Sequence, residues 1–161
     1  MIRDKIDLMI YDVESFIYFG QKKIDKIVKE GSIISLEDSI FILNNFAETL
    51  NKISEIVNKI PEIESKEKAD DVCDIALSAL AWIIFTILSL EVHTPLFPEN
   101  FTIYEKDIID FLAQSMMELE NLKEDLENLK FFSVDIAKNI KEASLLFGHL
   151  SKTSEKSIDF N

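Results

Sequence analysis

Carboxylates are the side chains this sequence offers most plainly for chemistry. Glu62, Glu64, Glu67, Asp70, Asp71 and Asp74 crowd one short stretch. On a helix, Glu67, Asp70, Asp71 and Asp74 fall at i, i+3, i+4 and i+7 and share a face. Carboxylates gathered in this way can hold Mg²⁺, commonly beside substrate phosphates. Like charges one turn apart repel by about 0.2–0.5 kcal/mol per pair, and a cation would relieve that. The same residues equally suit a solvated helix N-terminus, where the helix dipole favours anions.

The segment Glu67-Lys-Ala-Asp70, leading into the apolar run Val72–Leu90, resembles the E-x-x-D motif of the all-α nucleoside triphosphate pyrophosphohydrolases, the MazG and dUTPase group. That group carries E-x-x-E on the preceding helix. Here the position reads Glu48-x-x-Asn51, within the stripe Asn44, Glu48, Asn51 and Glu55. The resemblance implies a Mg²⁺-dependent phosphohydrolase with Glu48, Glu55, Glu67 and Asp70 as metal ligands. The chain departs from the pattern in the first motif, and it lacks the basic residues such enzymes use on phosphates, so membership is not inferred.

Other site chemistries find less. Di-iron bundles use Glu-x-x-His pairs; neither His93 nor His149 has an acid three residues before it. One cysteine and two histidines do not make a tetrahedral zinc set. Cys73 lies on an apolar face beside Val72 and Ala76 and reads as a small buried hydrophobe. Trp82 reads as a core residue whose indole N–H needs an acceptor. No Gly-rich phosphate loop or nucleophile elbow is present. No cofactor is expected, with Mg²⁺ reserved for the phosphohydrolase alternative.

Composition narrows the partners. The 161 residues carry 30 Asp+Glu against 17 Lys+Arg, a formal charge of −13. Nucleic acid and anionic membrane surfaces repel such a chain, because phosphate binding needs clustered cations. Arg3 is the only arginine, so bidentate recognition of phosphate is nearly unavailable. A single cysteine excludes an internal disulfide and suggests a reducing, cytoplasmic setting. The charged, periodic N-terminus lacks the features of a signal peptide. The uncharged run Ile75–Leu90 falls short of the about 20 residues of a spanning helix. It is expected to be the helix at the bundle centre.

Helical periodicity accounts for nearly the whole chain. A first helix spans residues 3–30 and stops near Gly31. Ser35 caps a second, which Pro61 ends. Ser65 caps a third, ending near Pro95 in the loop 95–100. The capping box Thr102–Glu105 opens a fourth, and Ser133 caps a fifth, to about Leu150. The expected fold is all-α: a four- to five-helix up-down antiparallel bundle with long helices. Residues 1–150 form one domain and 151–161 a flexible tail.

Twelve phenylalanines are a large aromatic load. Phe16, Phe46, Phe85, Phe111 and Phe147 fall on stripes and are core candidates. Phe97, Phe101, Phe131, Phe132 and Phe160 fall in or beside loops and could mark a partner surface. Leu119, Leu122, Leu126 and Leu129 form a heptad-like seam flanked by acid. With Phe131 and Phe132 they make the expected interaction surface, suited to a protein partner that is apolar in the middle and basic around it. The leading expectation is a non-enzymatic helical interaction protein: a regulator, adaptor, inhibitor or assembly subunit. The phosphohydrolase is one alternative. A homo-oligomer, such as a homodimer pairing through the seam, is the other.

Overall fold

The computed structural model describes residues 5–30, 34–91 and 102–159. They form five α-helices: α1 (Lys5–Glu30), α2 (Leu36–Val57), α3 (Lys66–Glu91), α4 (Thr102–Leu122) and α5 (Leu126–Asp159). A single 3₁₀ turn, Ile60–Glu62, follows α2. The all-α bundle of long helices expected from periodicity is what the chain forms. No strand occurs among the described residues.

Local chemistry sets several ends. Ser35 Oγ accepts from Asp38 N–H at 3.1 Å, and Ser65 Oγ accepts from Lys68 N–H at 3.3 Å, so both predicted caps are present. Pro61 sits in the first turn of the 3₁₀ segment, where its missing N–H costs nothing. The stop at Gly31, the loop 95–100, His93 and the phenylalanines at 97, 101 and 160 lie outside the described residues.

The last two helices divide differently from the expectation. The chain breaks at 123–125, and Asp125 caps α5: its Oδ1 accepts from Asn128 N–H at 3.3 Å. Ser133, expected as the cap, is fully buried inside α5 and donates back to Lys130 O. The seam Leu119–Leu129 therefore belongs to two helices joined at a corner. The segment expected as a tail is helical to Asp159. Ser151 and Ser154 are buried on the face that carries Phe147 and Leu150.

α2 and α5 share the most extensive interface in the bundle. They run antiparallel and approach closely because small residues meet between them. Ser54 Oγ donates to Ala137 O and Ser144 Oγ donates to Ala47 O, each at 2.6 Å. Around this axis α3 packs on α2 and α4, and α4 packs on α5. α1 lies across α2 and α3. Its register on α2 is antiparallel, fixed by Asp12 with Lys52 at 3.1 Å and by Gly20 against Asn45. The core aromatics link three helices: Phe46 meets Trp82 and Phe147 edge to face, at 5.4 and 5.6 Å.

The centre is thus α2 with α5, not α3. α3 buries Val72, Cys73, Ala76, Ala79, Leu80, Ile83 and Ile87 on one side only. Its other side is open, with Phe85 69% and Leu88 42% exposed.

Candidate functional site

Glu67, Asp70, Asp71 and Asp74 do share the outer face of α3. Asp70 pairs with Lys66 at 3.6 Å, and Asp74 accepts a hydrogen bond from Lys123 of the α4–α5 corner. Glu67 and Asp71 are exposed and join no ion pair among the described residues. Lys123 is raised above its ordinary value by its bond to Asp74.

The proposed metal set does not assemble. Glu48 and Glu55 project from the solvent side of α2, where Asn51 Nδ2 donates to Glu55 at 3.3 Å. Glu48 borders grooves towards α1 and α5. Two helical steps turn about 200°, so Glu48 faces away from Phe46, the residue that touches α3. Glu67 and Asp70 belong to a different outer face. Among the described residues no group of three His, Cys, Asp or Glu side chains could hold a metal ion.

Cys73 is buried, as expected. Burial first, then the nearby Asp70, pushes its thiol from 9.0 up to about 12, while Lys123 works in the opposite direction. Trp82 finds its acceptor in α1: the indole N–H donates to Asp25 Oδ1 at 3.3 Å.

The expected interaction surface is split. Leu119 and Leu129 are fully buried, and Leu122 and Leu126 pack half-buried against the core. These leucines close the bundle's own interior. Phe131 and Phe132 remain outside, 76% and 42% exposed, edge to face at 4.9 Å. Of the phenylalanines expected in the core, Phe46 and Phe147 are there. Phe16 is half-buried, with Lys52 over its ring at 5.1 Å. Phe85 and Phe111 are exposed, which corrects the expectation for both.

Sequence reasoning missed the surface this leaves. The second half of α3 has no charge to mark an outer side, yet Phe85 and Leu88 stand on it beside the half-buried Leu77 and Ile84. Met117 of α4 is also exposed; it lies one turn from Glu120, whose charge acts on Cys73 across the α3–α4 contact. Other exposed apolar side chains lie on α1, α4 and α5. Leu8, Tyr11, Tyr18 and Phe19 lie on the outer side of α1. A groove of about 440 Å³ between α4 and α5 is lined by Ile108, Phe111, Ala143 and Leu146, with Asp107 and Glu142 at its edge.

No curated protein and no solved structure shows a significant match to the chain. A protein-family model does: it covers residues 6–161 and is described as "Uncharacterized protein". The match takes in nearly all of the chain, which therefore belongs to that family.

Proposed function

We propose that this protein is a non-enzymatic interaction module: an acidic helical bundle that acts by docking a partner with a basic surface. The observation that carries the reading is the outer face of α3. A helix of mean composition this apolar is expected to be enclosed, yet Phe85 and Leu88 are open to solvent. Contiguous exposed apolar residues edged by polar ones are characteristic of association sites in folded proteins. The formal charge of −13 adds long-range attraction for cationic surfaces and repulsion for anionic ones.

The reading is tested by affinity purification from the source cell at low salt, followed by mass spectrometry. A stoichiometric protein partner with a basic surface, released by moderate salt, is the expected result. The opposite result is no partner, together with Mg²⁺-dependent turnover of a nucleoside triphosphate that Asp70→Ala abolishes.

A further inference from the structure

The outer face of α3 changes character along its length. Its first turns carry Glu67, Asp70, Asp71 and Asp74, with Lys66 paired to Asp70; its last turns expose Phe85 and Leu88 beside Ser78 and Ser89, edged by half-buried Leu77, Ala81 and Ile84, without a charge among them. Both halves face outward on the same helix. From Asp71 to Phe85 the separation is about 21 Å along the axis, at about 1.5 Å per residue. The acidic end is reinforced from the neighbouring helix. Glu120 lies close enough to add its field to that of Asp70 and Asp74 at Cys73, while Lys123 opposes it. Met117 adds an exposed, adaptable apolar side chain on α4, one turn from Glu120.

We infer that this α3–α4 face binds an amphipathic helix of a partner protein, with apolar anchors at one end and Lys or Arg at the other. The inference rests on the interaction reading and names its site and the chemistry of its ligand. Charge complementarity selects the occupant. A second copy of the chain would place carboxylates near carboxylates or leave them facing apolar surface, and an anionic lipid surface would be repelled by the acidic half. A cationic helix satisfies both halves at once. Its apolar residues cover Phe85 and Leu88, and its cations meet Glu67 and Asp71, the two carboxylates of the face that join no ion pair among the described residues. Helix-in-groove recognition of this type reads anchors at i, i+3, i+4 and i+7.

The test uses the full chain and a synthetic helical peptide of about 20 residues, a length of about 30 Å when helical. The peptide has Lys in its first turns and Leu at i, i+3, i+4 and i+7 in its last turns. A control has Glu in place of each Lys. The Lys peptide binds the wild type and the Glu peptide does not. Phe85→Ser with Leu88→Ser weakens binding by roughly tenfold or more, as expected for central anchors. Glu67→Lys with Asp71→Lys also weakens it, chiefly by slowing association. Leu145→Ser, on the exposed side of α5, leaves it unchanged. The mutated positions are at the surface, and circular dichroism with urea midpoints confirms that the variants fold.

Four results overturn the assignment: the Lys peptide does not bind the wild type; it binds all variants equally; light scattering shows a dimer that Phe85→Ser dissolves, making a second copy the occupant; or neutral lipid vesicles bind through Phe85 as tightly as the peptide. If the α3 variants still capture the cellular partner, the site is wrong while the interaction reading stands. If the wild type captures none, that reading fails too.

Discussion

Single residues make the bundle testable in several ways. Phe46 is fully buried where α2, α3 and α5 meet. Phe46→Ala removes an aromatic shared by three helices and is expected to cost about 3–5 kcal/mol, measured by urea unfolding. The two described glycines separate flexibility from fit. A Cβ at Gly148 would meet nothing within 4 Å, so Gly148→Ala should stabilise by about 0.5–1 kcal/mol through helix propensity alone. A Cβ at Gly20 would stand 2.7 Å from the Asn45 amide, which also accepts from Thr49, so Gly20→Ala should lack that gain. Equal stabilisation by both substitutions would contradict the close approach of α1 to α2.

Cys73 links burial to pH. The unfolded chain releases the thiol proton near the ordinary value of 9.0, whereas the folded chain holds it to about 12. Between those values the folded state binds more protons, so its stability falls as pH rises. Lys123, raised by Asp74, adds a loss of the same sign above its ordinary 10.5. Cys73→Ala should therefore reduce the alkaline decline of the urea midpoint without abolishing it. A thiol reagent at neutral pH should label native Cys73 only as fast as the protein opens.

At the scale of the elements, the α2–α5 contact depends on small side chains. Ser54→Ala removes one buried hydrogen bond to Ala137 and should cost about 0.5–1.5 kcal/mol. Ser54→Leu or Ser144→Leu would wedge the helices apart and should cost about 1–3 kcal/mol or more. A leucine variant as stable as the wild type would mean that the helices are not so close. These elements were legible to different degrees. The caps at Ser35 and Ser65 could be read because each is a bond to a residue three along. The start of α5 at Asp125 was hidden. Leu122-Lys-Glu-Asp-Leu126 has no Gly or Pro, and the leucine spacing continues across the corner. Periodicity finds a helix's apolar stripe, but it does not say which neighbour covers it. The central pair α2–α5 is therefore not legible from periodicity, which makes the uncharged second half of α3 read as the centre.

Over the whole molecule, the carboxylates face outward on separate helices, and exposed apolar side chains occur on every helix, Phe85 and Leu88 of α3 among them. Composition made the negative charge legible at once. It did not reveal that Glu48 and Glu67 point away from a common centre, since that depends on how α2 turns within the bundle. Phe85 could not be told from Phe46 in the sequence, because both sit on apolar stripes. Only the packing of α1, α2 and α4 around α3 leaves one of them uncovered. The central claim is that this face works together with the charge. It is tested most directly by the association kinetics of the chain with its captured partner, at low and moderate salt, for wild type and for Phe85→Ser with Leu88→Ser. The account predicts an association rate that drops steeply with salt in both proteins and a dissociation rate markedly faster in the variant. A salt-insensitive association rate, with dissociation unchanged in the variant, would contradict it.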